Sequence, residues 1–334
     1  MTKKIWEMSA LQAHELLKKK EISASEILES SIQRIEEVDG NLNALPERCF
    51  ARAREVANNI DKNSSPKCNP NLLGLPIAVK DYNDLSNVPT TYGSTIFKNN
   101  IPKASDRTIK LLERNGANPV AKSNVPEWAG GHTFNPVHGL TRNPWDISKS
   151  AGGSSGGSAS ALASGQVFLA TGNDLGGSLR TPAGFNGVVG LRPSPGLIPR
   201  GDRYMPFDTL WVEGPMARTV EDLALMLDSM VGHDIGDPLS FKSKRGYFIE
   251  SLKKDLNPIS IAVSEDLNLV PVDSEVRNVF KTAIKKLSKL GLNINDDIPD
   301  FSGVLDAFKT LRGVLMASML GDLVKTHKNS ILED

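Results

Sequence analysis

Apolar and polar positions follow a helical period through the N-terminal 65 residues, and three helices are predicted there. Ser9 with Gln12, and Ser23 with Glu26, match the capping-box pattern, in which two side chains satisfy free N–H groups at a helix start. The stretch ARAREVANNID, residues 51–61, predicts the third helix. The chain therefore opens with a helical layer.

Short, continuous apolar runs replace the helical period after this layer. LPIAVKD, residues 75–81, is such a run, and it predicts a buried strand with Lys80 at its exit. Further strands are predicted at NPVAK, QVFLATG, GVVGLRP and PISIAVS, and a loop over residues 132–153. Helices are predicted at 106–115 (capped by Ser105), 154–165, 219–232, 273–291 and 301–320. Strands that alternate with helices indicate an α/β fold.

Composition and charge narrow the function classes. Lys plus Arg and Asp plus Glu are both 39, so the chain has no basic excess with which to bind nucleic acid. No run of 18 apolar residues is present, so no membrane contact is expected. Cys49 and Cys68 have no metal-ligand spacing, and the N-terminus lacks the apolar core of a signal peptide. We therefore expect a cytoplasmic protein.

The most biased stretch is AGGSSGGSASALASG, residues 151–165. One interpretation is a flexible linker, although the stretch leads directly into a predicted helix and strand. Ser154 and Ser155 also each match G-x-S-x-G, the nucleophile elbow of α/β-hydrolases. That elbow needs an apolar strand immediately before it, and the preceding residues, NPWDISKSA, predict a loop.

Three segments in order, GLPIAVKD (74–81), the stretch at 151–165 and GNDLGGSLRTPAGFNGVVGLRPSPG (172–196), resemble the amidase signature family. The resemblance extends through NPVHGLTRNPWD and FDTLWVEGPMARTVEDLALMLD and covers the chain from about residue 5 onward. It implies a mixed central β-sheet flanked by helices in a single domain spanning 1–334. Within it, 1–65 are N-terminal helices, 72–232 the catalytic core, and 233–334 the start of a C-terminal portion. Because family members are usually longer, the end of the fold is expected to be missing.

The resemblance also implies a catalytic set. Carried over by motif, it comprises Lys80, Ser154 as the serine in a cis peptide, and Ser178 as the nucleophile, with the two serines 24 positions apart (154 to 178). A free lysine, with a pKa of ~10.4, is a poor base at neutral pH, and burial lowers that pKa. The neighbouring carboxylate of Asp81 would raise it again, unless strand alternation directs Asp81 to the other face.

The glycine-rich turn before Ser178 is expected to bind the oxyanion of a tetrahedral intermediate through backbone N–H groups. Asp174 and Ser155 are expected to support the loops by hydrogen bonds, and Arg180 to pair with Asp174 or line the site. No metal and no cofactor are required. The predicted oxyanion hole comprises the N–H groups of Leu175, Gly176, Gly177 and Ser178.

Other side chains near these motifs are expected to have structural roles. His132 and His138 are predicted to be polar loop residues and not catalysts. Trp128, Phe134 and Trp145 are predicted in the core or in a pocket wall.

The function implied by the resemblance is an amidase that cleaves a carboxamide C–N bond to an acid plus an amine or ammonia, through an acyl-enzyme. Two alternatives stay open: the glutaminase (A) subunit of a tRNA-dependent amidotransferase, and an inactive truncated paralogue. The expected partner is a small-molecule amide, a homodimer is an option, and no direct contact with nucleic acid is expected.

Overall fold

A computed structural model describes residues 4–62, 71–201, 205–244, 246–254 and 259–332. These residues form two compact units. The first comprises residues 1–252 with 314–334, and the second residues 253–313. Cys68 lies outside the described residues.

Helices occupy both the N-terminal layer and the segments between strands. The α-helices are α1 (Ala10–Lys18), α2 (Ala24–Leu42), α3 (Phe50–Lys62), α4 (Arg107–Arg114), α5 (Gly156–Ala163), α6 (Arg180–Asn186), α7 (Val220–Met230), α8 (Tyr247–Ser251), α9 (Ser274–Ser288) and α10 (Val304–His327). Short 3-10 helices lie at Ile5–Glu7, Thr95–Phe97, Glu127–Ala129 and Lys328–Ser330.

The strands are short and lie between these helices along the chain. They are β1 (Glu47–Arg48), β2 (Pro76–Lys80), β3 (Asn118–Ser123), β4 (Phe134–Asn135), β5 (Gly139–Leu140), β6 (Leu169–Asp174), β7 (Val189–Gly190), β8 (Val212–Ala217), β9 (Ser260–Val263) and β10 (Asn293–Asp296).

A mixed six-stranded sheet in the order β1-β3-β2-β6-β8-β7 is the centre of the first unit. Strand β2 is parallel to both β3 and β6, whereas β8 is antiparallel to β6 and to β7. In the second unit β9 and β10 pair in parallel, with α9 between them in sequence. The predicted α/β class, with a mixed sheet flanked by helices, is confirmed.

Strand β2 is buried along its whole length, and its alternation assigns Lys80 to one face of the sheet. Ile77 and Val79 belong to a core cluster with residues of α4 and α7. Ala78 belongs to a second cluster, which contains residues of α2, α3 and α5. Because side chains on a strand alternate between faces, Lys80 follows Ala78 toward the α5 side. The residues just before α5 include Ser154.

Local sequence signals located most elements of the first 123 residues. Both predicted capping boxes are present: Ser9 accepts from the N–H of Gln12, and Ser23 from that of Glu26. The predicted cap of α4 is wrong by one residue, because Asp106, not Ser105, precedes the helix. The hydroxyl of Ser105 instead accepts a hydrogen bond from the N–H of Ser86.

Later elements depart further from the prediction. The strand expected over GVVGLRP is reduced to β7, and the loop expected over 132–153 contains the β4–β5 hairpin. Neither α6 nor β8 was predicted. Both contain proline and glycine, and β8 is stabilised by pairing with β6, a contact that no local pattern encodes.

Two features are absent from the described residues. No described helix is both long enough and apolar enough to cross a membrane. The same part of the chain contains no group of three or more His, Cys, Asp or Glu side chains arranged to hold a metal ion.

Candidate active site

Lys80 and Ser154 are in hydrogen-bond contact inside the first unit. The Nζ of Lys80 lies 2.8 Å from the Oγ of Ser154 and 2.6 Å from the Oδ1 of Asn173. Lys80 has no exposed surface, and Ser154 is 1% exposed. The ring centroid of Tyr82 lies 5.0 Å from the same nitrogen. The lysine head group therefore has polar contacts and no access to bulk water.

This burial changes the acid–base character of Lys80. Loss of hydration disfavours the ammonium and lowers the pKa of Lys80 to about 7, against a smaller upward effect of the carboxylates of Glu213 and Asp174. Its hydrogen-bonded neighbours, Ser154 and Asn173, are uncharged, so they do not favour the ammonium form of Lys80. A lysine with this pKa is partly neutral at pH 7 and can accept a proton.

Asp81, which follows Lys80 in sequence, is bound elsewhere. Its Oδ1 accepts from the Nζ of Lys122 at 2.9 Å, and its Oδ2 accepts from the hydroxyl of Thr91 at 2.6 Å and from the N–H of Thr91 at 3.0 Å. Both partners of the ion pair are buried. Asp81 is not among the carboxylates that raise the pKa of Lys80, as strand alternation predicted.

The segment before Ser154 is closely packed and requires glycine. Gly152 has φ +72°, and a Cβ there would lie 3.0 Å from the Cα of Pro182 in α6. A Cβ on Gly153 would lie 2.1 Å from the carbonyl oxygen of Gly131, closer than atoms can approach. The peptide bond between Gly153 and Ser154 is cis. These approaches fix the backbone that presents the Ser154 hydroxyl to Lys80.

Ser178 lies in the turn between β6 and α6 and is half-buried. Asp174, the last residue of β6, organises this turn. Its Oδ1 accepts from the N–H of Gly177 at 2.8 Å, and its Oδ2 from the N–H of Leu179 at 3.1 Å. Arg180 donates to both oxygens, each at 3.1 Å. Asp174 therefore holds the backbone on both sides of Ser178.

The electrostatics of Asp174 follow from these contacts. Burial by itself would raise the pKa of the Asp174 carboxyl, but hydrogen bonds from Arg180, Gly177 and Leu179 together hold that pKa below its usual value. The carboxylate therefore stays ionised at neutral pH and can keep accepting the backbone N–H groups.

The hydrogen bonds of Gly177 and Ser155 differ from what the sequence predicts. All four N–H groups from Leu175 to Ser178 were expected to face an oxyanion, but that of Gly177 donates to Asp174. Ser155 is expected to support the loop by hydrogen bonds. Its buried Oγ has no hydrogen-bond partner among the described residues. Its backbone carbonyl accepts from the N–H of Ala159, within the first turn of α5.

The histidines contact other polar side chains of the loops. His132 lies 2.7 Å from the hydroxyl of Ser150, and His138 lies 3.3 Å from that of Thr91. The residues immediately before Ser154 contain no strand, so the context of a nucleophile elbow is absent there.

The prediction that three aromatic residues lie in the core or in a pocket wall holds for one of them and fails for two. Trp128 lines a cavity of the first unit. Phe134 and Trp145 are 48% and 73% exposed, so their expected place in a core or pocket wall is wrong. Trp145 is held at the surface by its indole N–H, which donates to the carbonyl of Asn186 at 2.8 Å.

Neither Asn173, which contacts Lys80, nor Lys122, which binds Asp81, was predicted from the sequence. Asn173 directly precedes Asp174 in the motif and offers Lys80 an uncharged acceptor. Lys122, like Lys80, is at the end of a predicted strand. This shared position in the sequence could have indicated that a second lysine is buried.

The site thus contains a buried lysine, a serine hydroxyl on a cis peptide and a glycine-rich turn. A sequence model of the family described as Amidase matches residues 26–329. The chain belongs to the amidase signature family.

Similar proteins of this family have different names. The A-subunit of the glutamyl-tRNA(Gln) amidotransferase from Carboxydothermus hydrogenoformans is 37% identical over 292 residues, which are 86% of this chain and 60% of that protein. Among solved structures, a bacterial aryl acylamidase of the amidase signature family has a TM-score of 0.89 at 28% identity and covers 98% of this chain and 70% of its own.

A second solved structure carries the amidotransferase name. The A-subunit of the glutamyl-tRNA(Gln) amidotransferase from Thermotoga maritima has a TM-score of 0.79 at 25% identity, over 97% of this chain and 70% of its own. The chain spans about three fifths of the length of the curated relative from C. hydrogenoformans.

Substitution of Lys122 tests whether its buried ion pair with Asp81 stabilises the fold. Replacing Lys122 by Met leaves the Asp81 carboxylate buried without its cation, which should lower the free energy of unfolding by about 3–5 kcal/mol. Denaturant unfolding followed by circular dichroism measures this. Lys122→Met combined with Asp81→Asn removes the unpaired charge and should lose less. A loss under about 1 kcal/mol in the single variant would contradict the assigned pairing.

Proposed function

We propose that the chain is the catalytic part of an amidase in which Ser178 is the nucleophile, Ser154 relays its proton and Lys80 is the base. The observation that carries this proposal is the 2.8 Å contact between a fully buried lysine amine and a buried serine hydroxyl. Burial favours the neutral amine, and Ser154 is the hydroxyl placed to receive it. The substrate is a small-molecule carboxamide.

Acylation begins when the Oγ of Ser178 attacks the amide carbonyl carbon. Its proton passes to the Oγ of Ser154, whose own proton passes to the neutral Nζ of Lys80. The carbonyl oxygen becomes an oxyanion, for which the N–H groups of Leu175, Gly176 and Ser178 are the proposed donors. The C–N bond then breaks, and the leaving nitrogen takes a proton from Ser154, which Lys80 replaces.

Deacylation uses the same proton relay, with water in place of Ser178 as the nucleophile. Water attacks the ester carbonyl of the acyl-enzyme and gives a proton through Ser154 to Lys80. The ester bond to Ser178 breaks, and the proton returns to the Ser178 oxygen. The products are a carboxylic acid and an amine, or ammonia where the amide is primary. All groups return to their starting state.

A second candidate function is that of the glutaminase component of an amidotransferase. Its support is the 37% identity to a protein named as the A-subunit of a glutamyl-tRNA(Gln) amidotransferase. Against it, the segment PFDTLWVEGPMARTV, residues 206–220, looks more like stand-alone amidases. In fold, the aryl acylamidase has the higher TM-score of the two structures compared. An inactive paralogue, the third possibility, would show no turnover that depends on Ser178.

A serine-directed fluorophosphonate probe tests the nucleophile. The probe should label Ser178, as mapped by mass spectrometry of the modified peptide. Ser178→Ala should abolish labelling and lower kcat on a chromogenic anilide by at least about 10⁴-fold. Ser148→Ala, which changes an exposed loop serine, is the matched control and should label normally. Labelling at Ser154 or Ser155 would instead favour the elbow interpretation.

The pH profile tests the base. Lys80 accepts a proton only when neutral, so kcat/KM should rise with pH, level off above about 7, and fall about tenfold per pH unit below that. Because the Glu213 carboxylate raises the pKa of Lys80, Glu213→Gln should move the midpoint to lower pH. Glu29→Gln, at an ion pair with Arg54, should leave it in place. An unmoved or higher midpoint in Glu213→Gln would argue against Lys80 as the base.

Product analysis separates the two candidate functions. The purified chain should cleave aryl or acyl amides with a kcat/KM at least about 100-fold above that for ammonia release from glutamine, a difference of about 2.7 kcal/mol in transition-state binding. Enzymatic ammonia detection measures both under the same conditions. Faster ammonia release from glutamine, or copurification with a tRNA-binding partner, would favour the amidotransferase function.

A further inference from the structure

A cavity of about 410 Å³ lies in the first unit. Tyr82 lines it and also lies with its ring centroid 5.0 Å from the Nζ of Lys80. Glu213 lines it too, and its carboxylate acts on Lys80 electrostatically. Tyr82 therefore contacts both the cavity and the lysine, and the cavity can accept part of a ligand.

The walls of this cavity are largely apolar. Tyr92 packs edge-on against Phe97 at 5.2 Å, and Phe97 against Trp128 at 5.6 Å, between ring centroids. Met316 and Met319 of α10 also line the cavity. Aromatic rings and flexible thioethers favour an apolar body, such as an aryl or alkyl group.

Two polar atoms of this wall have no hydrogen-bond partner among the described residues: the Oδ1 of Asn83, an acceptor, and the indole Nε1 of Trp128, a donor. Asn83 is 3% exposed, and its Nδ2 donates to the Oδ2 of Asp106 at 3.3 Å and to the Oε2 of Glu213 at 3.2 Å. Two carboxylates accept hydrogen bonds, so they fix which end of the Asn83 amide is nitrogen. Its Oδ1 has no hydrogen-bond partner among the described residues, although it is buried. A buried acceptor without a donor is costly, and a ligand N–H would satisfy it.

The charged side chains around Asn83 favour a cationic ligand group over an anionic one. The carboxylates of Asp106 and Glu213 flank it, and burial, together with Asp84 and Glu213, raises the pKa of Asp106 to about 6. The two arginines of the cavity wall already face carboxylates: Arg107 pairs with Asp234, and Arg200 lies near Asp208 and Glu213. A cation would gain two nearby anions here, whereas an anion would compete for arginines that already have partners.

We propose that this cavity binds the apolar group of an amide substrate that ends in an amine, with the amine donating to the Oδ1 of Asn83 beside Asp106 and Glu213. The proposal rests on the proposed amidase function and names its substrate class. The apolar body lies between the aromatic side chains and the methionines of α10. The amide carbonyl lies beyond Tyr82, on the side of Lys80 and Ser154.

Calorimetric titration tests the cavity without catalysis. The Ser178→Ala chain is titrated with 4-phenylbutylamine, with 4-phenylbutanol and with 4-phenylbutanoate. The amine should bind at least tenfold more tightly than the alcohol, and the carboxylate should bind more weakly than both. Asn83→Ala should weaken amine binding at least tenfold while leaving alcohol binding within about threefold. Equal affinity for the three ligands would overturn the proposal.

A cavity-filling pair of variants covers the case in which Asn83→Ala does not fold. Met319→Trp exchanges one apolar side chain of the wall for a larger one and should abolish amine binding. Val324→Trp, on the same helix at a 45% exposed position outside the wall, should bind the amine normally. Unchanged amine binding in Met319→Trp would overturn the proposal.

Kinetics distinguish failure of this inference from failure of the amidase function. Met319→Trp should lower the ratio of kcat/KM for the anilide of an aminoalkanoic acid to kcat/KM for propionamide at least tenfold, because the small group of propionamide does not fill the cavity. Ser178-dependent turnover of propionamide with no preference for the amine-bearing anilide would overturn the substrate class and leave the amidase function standing. Amine binding without any turnover would overturn the amidase function and the substrate assignment, and would leave a ligand site alone.

Discussion

Removal of water from the ammonium of Lys80 is the constraint on which the rest of the site depends. An ammonium in water loses its proton near pH 10.4, and only a dry surrounding makes the neutral form accessible near pH 7. Strand β2 provides this surrounding because both faces of the sheet are covered at that point. The hydrogen bonds to Ser154 and Asn173 satisfy the nitrogen with uncharged groups. A carboxylate at either position would favour the ammonium and remove the proposed base.

Strand register keeps the carboxylate of the next residue in sequence, Asp81, away from that nitrogen. In the parallel pairing of β2 with β3, Val79 is opposite Lys122 and Lys80 is opposite Ser123. Side chains of directly paired residues share a face, so Lys122 and Asp81 lie on one side and Lys80 on the other. A slip of one residue would exchange these environments. The buried pair of Lys122 and Asp81 thus accompanies the isolation of Lys80, since both follow from the same register.

The sequence predicted those parts of the site that are encoded locally. LPIAVK is apolar and continuous, so a buried strand with Lys80 at its exit could be inferred, and the serine motifs follow in a fixed order. Contacts between distant segments could not be inferred in this way. Asn173 reaches Lys80 because β6 lies beside β2, and VEGPMA becomes β8 because β6 offers it a partner. The exposure of Trp145 depends on a carbonyl 41 positions away.

Asp174 is ionised, yet it must not raise the pKa of Lys80 so far that the lysine stays protonated. The contacts of Asp174 explain how both conditions are met. Ionised, it accepts the N–H groups of Gly177 and Leu179 and so fixes the turn that carries Ser178. The same charge raises the pKa of Lys80. Arg180 and Arg192 both pair with the carboxylate, and positive charge beside an anion reduces its field at other groups. The arginines therefore allow a rigid, anionic turn to lie close to a lysine that has to be neutral in the proposed mechanism.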